Sequence, residues 1–379
     1  MYKIPDLPFS FELETKEILK QLAASHRRLA ELKGVAQTIP NENILINTLT
    51  LQEAKDSSEV ENIVTTHDEI YKTELSARDI IASATAKEVL NYREAMKTGF
   101  GLVRHDKLLT NNIIKEIQKT LVGNSAGFRK VPGTALKNGA GETIYTPPQD
   151  GAEIERYMVA LESFINTPEL CDWDPLVKLA VIHHQFESIH PFYDGNGRTG
   201  RIIVILLLVT NGLLDIPVLY LSRYITHHKG EYYRLLQAIR ETEDNAQQWQ
   251  DWVLFLLKGI EETAIDTIRL VTAIRNLMQE FKQKLRPLFG RQYKHDILNH
   301  LFFHPYTKIE YMAEAMMVQR KTASKYLKML IDEELMTKVK IWKNTYYINT
   351  PLVELFMNWQ ELQKADGTSR DKLESLPHV

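Results

Sequence analysis

Twelve residues constrain this chain more than any others: HPFYDGNGRTGR, His190 to Arg201, running straight into the apolar stretch Ile202–Val209. Histidine titrates near neutral pH, so His190 is a candidate acceptor for the proton of an attacking hydroxyl. Asp194 offers a hard oxygen to Mg²⁺, an ion that usually takes one or two carboxylates plus phosphate oxygens. Gly195, Asn196 and Gly197 let the backbone turn tightly and bring its N–H groups close to an anion. The apolar run reads as a buried helix, which places phosphate at its positive N-terminus. Arg198 and Arg201 are spaced i, i+3 on one helical face, and their planar forks suit phosphate oxygens. Taken singly, each residue is an ordinary turn former or solvated charge. In this order they read as a nucleotide triphosphate site, and no GxxxxGK(S/T) loop competes with it.

The 379 residues leave room for two or three domains. A net charge of −3 gives the whole chain no pull toward nucleic acid or anionic lipid. Its one cysteine, Cys171, cannot close an internal disulfide, which fits a reducing cytoplasm. The N-terminus lacks an apolar signal core. Ile202–Leu214, the most apolar stretch, is broken by Thr210, Asn211 and Gly212 and falls short of the ~20 residues that span a bilayer. A soluble cytoplasmic protein with no membrane partner is expected.

Periodicity predicts mostly helices. Ile18, Leu22, Leu29 and Leu32 mark one over 14–33, and a second runs from about Ile44 to DSSEVENI, with Asn62 as its terminating residue. Glu61 then falls on the last turn, opposing the helix dipole, and read by itself is a solvated helix-end glutamate. Helices follow at Ile70–Lys97, Asn111–Leu121, 151–166, 175–188, from Lys229, and at 259–285. Between them, Gly127–Gln149 is rich in Gly and Pro, and Asn138-Gly139 with Gly141 marks the turn of a hairpin. His183 and His184 precede His190, but without HExxH or a cysteine pair they read as packing residues rather than metal ligands. Trp249 and Trp252 read as core.

The signature stretch resembles that of the Fic family, HPFx(D/E)GNGRxxR, with every defined position filled. That resemblance implies a mainly α fold: an all-helical core with a small β-hairpin flap, a helical N-terminal region and a C-terminal winged helix-turn-helix. It implies transfer of AMP from ATP to a Tyr, Thr or Ser hydroxyl of a target protein or of the chain itself. His190 is then the base and Asp194 the ligand of Mg²⁺, with Mn²⁺ an alternative. Gly195, Asn196, Gly197, Arg198, Thr199, Gly200 and Arg201 contact ATP. Asn196 helps to stabilise the transferring group, Arg198 takes the β-phosphate and Arg201 the γ-phosphate. Tyr232 lines the adenine pocket, whereas Arg240 stands where some relatives have a nucleotide-contacting Asn. Ser57-Ser58-Glu59-Val60-Glu61-Asn62 matches the (S/T)xxxE(G/N) inhibitory motif of such proteins. There the Glu pairs with the second signature arginine, so Ser57 and Glu61 become inhibitory residues. The hairpin resembles the flap that aligns a target segment by strand addition, with Pro147 and Pro148 capping its edge.

The implied domains are 1–105 (inhibitory helix about 44–62), 106–285 (flap about 128–148, signature 190–201), 290–350 and a C-terminal tail over 351–379, polar and mobile over 364–379. In the third, His295–Phe303, Lys308–Met317 and Arg320–Glu333 read as helices, and Leu335–Ile341 with Thr345–Ile348 as a hairpin. Residues 291–350 hold ten Lys+Arg against six Asp+Glu, and Arg320, Lys321, Lys325 and Lys328 crowd the third helix. DNA and a protein are both open as partners of this basic domain, and a homodimer is open too. A Doc-like kinase is the weaker relative, since it carries Lys where this chain has Gly197. A deadenylylase using the same residues and a nucleotide-sensing DNA-binding regulator remain as alternatives.

Overall fold

The computed structural model describes residues 2–66, 69–70, 73, 83–290, 295–303, 305–341 and 344–356. Its contacts divide the chain into two units, Met1–Gly34 with Leu49–Thr267, and Val35–Thr48 with Ile268–Val379.

The first unit is helical apart from one hairpin. Its helices are α1 (Lys16–Ala36), α2 (Glu42–Val60), α3 (Ala84–Asp106), α4 (Asn111–Val122), α5 (Gly151–Asn166), α6 (Pro175–Ile189), α7 (Asn196–Thr210), α8 (Ser222–His227), α9 (Lys229–Glu241) and α10 (Ala246–Phe289); α1, α2 and α10 are shared with the second unit. Helix starts follow local chemistry. Asp174 accepts the Leu176 N–H ahead of Pro175 at the first turn of α6, and Thr110 caps α4 in the same way. At the centre lies α7, with Ile202 to Leu208 all buried, packed against α6, α3 and α4. Gly99 lets α3 come that close: a Cβ there would meet Leu206 at 2.7 Å and Ile117 at 2.8 Å. Trp249 and Trp252 are fully buried, and the Trp252 indole N–H donates to Ala180 O at 2.8 Å, tying α10 to α6.

The hairpin is short. β1 (Leu136–Lys137) pairs antiparallel with β2 (Thr143–Tyr145), Leu136 opposite Tyr145. Its turn is held by Asn138 Oδ1, which accepts the Ala140 and Glu142 N–H groups at 3.0 Å, with Gly141 at φ +82°.

In the second unit, α11 (His295–Phe303), β3 (Tyr306–Thr307), α12 (Ile309–Met316), α13 (Arg320–Asp332), β4 (Thr337–Ile341) and β5 (Asn344–Ile348) form three helices and an antiparallel sheet in the order β3-β5-β4. The edge strand β3 is too short to leave a period in the sequence.

Two expectations shift. α10 starts at Ala246 rather than near 259, because Trp249, Trp252, Val253 and Leu256 already follow the helical period and are buried. Residues 351–356 are helical where a tail was expected, and the remaining tail, 357–379, lies outside the described residues, as do 71–72 and 74–82 of the Ile70–Lys97 prediction. No helix among the described residues is long and apolar enough to cross a membrane.

Candidate active site

Every signature residue is placed by the turn between α6 and α7. His190 caps α6 in the left-handed conformation, φ +49°, uncommon for a residue with a side chain. The turn is closed by buried Asn196, whose Oδ1 accepts from Phe192 N and whose Nδ2 donates to Phe192 O, both at 2.8 Å. Its side chain, expected on the transferring group, is therefore spent inside the loop. Gly195, at φ +79°, begins α7.

A cavity of about 490 Å³ opens beside this turn, within the size range of small-molecule sites. His190, Gly197 and Arg201 line it, together with Glu61 and Asn62 after α2, Leu136 and Ile144 of the hairpin, Glu187 of α6, and Tyr232, Tyr233, Leu236 and Arg240 of α9. Burial, reinforced by the Arg129 and Arg240 guanidiniums, pushes His190 down to about 4, so its ring is neutral and able to accept a proton at neutral pH. Burial also pushes Glu187 up to about 7.

Arg201 is buried, with its Nε and Nη2 donors both taken. Nε donates to Ser57 Oγ at 2.8 Å, and Nη2 to both Ser57 O and Glu61 Oε1 at 2.9 Å. α2 ends at Val60, so Glu61 sits just past the helix rather than on its last turn, with Asn62 left-handed at φ +62°. Burial acts to raise the Glu61 carboxyl, but the Arg201 charge and hydrogen bond outweigh it and hold it below the usual carboxylate range.

Other signature residues point elsewhere. Arg198 donates to Glu88 Oε2 at 2.8 Å and does not line the cavity. Thr199 is buried, and a Cβ on Gly200 would lie 2.6 Å from Glu187 Oε1 and 3.2 Å from Phe186, so Gly200 lets α7 pack closely onto α6. Asp194 is largely exposed, with Oδ1 accepting from Gly195 N at 2.7 Å and 3.8 Å from Arg198 Nη2. No group of three or more metal-binding side chains occurs among the described residues. Asp194 does not line the cavity, and as a single exposed carboxylate it suits Mg²⁺ only in the usual way, with phosphate oxygens and water as the remaining ligands.

Tyr232 is buried with its hydroxyl 2.9 Å from His183 Nε2, and His183 stacks on Trp252 with rings 5.8 Å apart. Burial, with Arg201 adding to it, drives His183 down to about 3, so it packs as a neutral ring. The neighbouring Tyr233 is the exposed one, at 40%. Tyr233, Leu236, Gln237 and Arg240 form a cavity-lining stripe at i, i+3, i+4 and i+7, a signal that was available in EYYRLLQAIR. Arg240 stacks over the Tyr145 ring at 4.1 Å and donates to Ser188 Oγ at 3.1 Å.

Three family models match this chain: "Fic/DOC family N-terminal" over residues 19–101, "Fic/DOC family" over 108–208, and "Protein adenylyltransferase SoFic-like, C-terminal domain" over 277–352. The chain belongs to the Fic/DOC family. It is similar to a probable protein adenylyltransferase of Aquifex aeolicus, 41% identical over 73 residues, 19% of each chain. It is also similar to the protein adenylyltransferase Fic of Aedes aegypti, 28% identical over 155 residues, 41% of this chain and 29% of that one. The matches thus span less than a third of these relatives' length. Among solved structures, a Fic family protein from Desulfovibrio desulfuricans matches with a TM-score of 0.55 at 17% identity, covering 90% of this chain and 97% of that one. Fic-1 from C. elegans matches with 0.51 at 18%, covering 68% and 73%. At such identities the likeness is one of fold. The Fic/DOC matches span both the turn after α2 that carries Glu61 and the turn that carries His190.

Proposed function

We propose that the chain is a protein adenylyltransferase that moves AMP from ATP to a protein hydroxyl and is restrained by Glu61. One observation carries the reading: a single cavity gathers His190, Gly197 and Arg201, and Glu61 occupies Arg201 within it. In this reading His190 takes the proton of the target hydroxyl. The oxygen attacks the α-phosphorus in line, and pyrophosphate leaves. The N–H groups at the start of α7 stabilise charge on the transferring group. Asp194 would hold Mg²⁺, or Mn²⁺, which would supply charge neutralisation to the phosphates. Arg201 takes the γ-phosphate once Glu61 withdraws, and Arg198 the β-phosphate once Glu88 yields it. The two-stranded hairpin offers its edge to an extended target segment.

The test is incubation of the Glu61→Gly variant with α-labelled and, separately, γ-labelled ATP, followed by mass spectrometry of labelled protein. Transfer of the α-label alone is expected. Transfer of the γ-label would make the chain a kinase instead.

For the second unit we propose a winged helix-turn-helix that contacts duplex DNA. The support is a set of exposed cations, Arg320, Lys321, Lys325 and Lys328 on α13 with Lys338 and Lys340 on β4. Arg320 is partly neutralised by Glu310 at 2.6 Å, which leaves the lysines to carry the contact.

A further inference from the structure

Arg129 is fully buried, yet its hydrogen bonds go to backbone carbonyls rather than to a carboxylate. Nε donates to His190 O at 2.7 Å, and Nη2 donates to Pro148 O at 2.8 Å and to Ile189 O at 3.4 Å. Its own N–H donates to Pro191 O at 2.7 Å. Nη1 is buried without a partner. Burying a guanidinium on such terms is costly, because carbonyl dipoles return less of its hydration energy than a carboxylate does. The three carbonyls it joins belong to two different structures. Pro148 ends the segment that carries the hairpin, and Ile189 and His190 form the turn that presents the candidate base. A second tie lies beside it, where the Tyr193 hydroxyl accepts the Lys130 and Val131 N–H groups at 3.1 and 3.3 Å.

We infer that Arg129 is a positioning residue for transfer, clamping the foot of the hairpin to the His190 turn so that docking edge and base move as one body. The inference rests on the adenylyltransferase reading. An edge that holds the acceptor hydroxyl and a base that must reach its proton tolerate little relative drift, since about 1 Å of misplacement costs roughly 10²-fold in rate. A lysine at 129 would keep the charge but cannot bridge carbonyls in two directions with a planar fork. Arg129 also faces His190 electrostatically, as do Arg240 on α9 and Glu61 after α2.

The experiment uses the full chain carrying Glu61→Gly, with self-labelling by α-labelled ATP as the probe reaction. Arg129→Lys is expected to lower the rate at saturating ATP by roughly 10- to 100-fold and to leave half-saturating ATP within about twofold, which general loosening of the nucleotide site would not do. Arg129→Met is expected to move the acid limb of the pH–rate profile upward, because a cation facing His190 is lost, whereas Arg129→Lys leaves the limb in place. Labelling by Arg129→Lys at the background rate overturns the inference. If neither variant folds, Tyr193→Phe decides: a lower saturated rate with unchanged half-saturation supports the clamp, and an unchanged rate sinks it. If the Glu61→Gly background does not label at all, the adenylyltransferase reading fails. The clamp is then decided by amide hydrogen exchange over residues 136–145, faster in the variants if Arg129 ties the hairpin down and unaltered if it does not.

Discussion

Glu61 and Arg201 are separated by 140 positions in the chain and meet at 2.9 Å, carboxylate Oε1 against guanidinium Nη2. Ser57, one turn earlier on α2, takes the other side of the same fork. An arginine so engaged has its Nε and Nη2 donors committed, and the adjacent carboxylate repels a terminal phosphate. A Cβ at Gly197 would collide with Glu61 Oε1, so this glycine makes room for the pair.

Removal of that carboxylate should release activity. Glu61→Gly is expected to raise incorporation of α-labelled AMP by ~10²-fold, the usual cost of a misaligned reacting group. Glu61→Gly with Arg201→Ala should stay inactive. Labelling by Glu61→Gly no higher than wild type would leave the Glu61–Arg201 pair without an inhibitory role.

His190→Ala should abolish labelling in the Glu61→Gly background while ATP binding, measured by calorimetry, stays near its starting value. Loss of a general base costs roughly 10²–10⁴-fold. His190, held neutral near pH 7, is the one histidine lining the cavity. Labelling within a few-fold of the background would remove it from the reaction.

Stability should carry a signature of His183. Its pKa is about 3 in the fold against 6.5 unfolded, so its contribution is whole above pH 6.5 and is lost as pH falls toward 3. The slope is about 1.4 kcal/mol per pH unit while the unfolded ring holds a proton that the folded one refuses. Glu53 and Glu187, pushed up to about 7, act in the opposite sense, losing stability as pH rises from 4.5 to 7. The wild-type curve alone is therefore mixed, and the comparison with His183→Gln isolates the histidine. The gap between their melting temperatures should shrink between pH 7 and pH 4. A constant gap would mean that His183 does not titrate as a buried neutral ring.

DNA binding by the second unit, measured by mobility shift, should weaken steeply with salt, since each neutralised phosphate releases counterions. Lys325 and Lys328 replaced together by Ala should lower the salt slope by roughly two contacts. A complex indifferent to salt, or none at all, would turn the assignment toward a protein partner.

Much of the fold was legible in the chain. The helical period gave α1, α2, α4, α5, α6 and α9 to within a few residues, and the Asn-Gly turn gave the hairpin, because each pattern is written locally. β3, with two residues, and the early start of α10, whose tryptophans read as core without reading as helix, were not.

The site divides along the same line. Sequence by itself determined the turn: a glycine, Gly195, where φ is positive, a histidine before a proline, an arginine one helical turn into α7. It also determined that a carboxylate lies at the C-terminal end of α2, since that motif is contiguous, though the helix stops one residue before it. Tertiary structure alone decided which side chains face the cavity. Arg201 turns toward Glu61 and Arg198 toward Glu88, though both arginines sit on one helical face. Asn196 folds back onto Phe192, Tyr233 rather than Tyr232 is exposed beside the cavity, and Arg129 arrives from 61 residues away to bind the His190 carbonyl. A residue's type and spacing set what it can bond to. Its partner is set by which elements pack against it, and those come from parts of the chain that no local pattern connects.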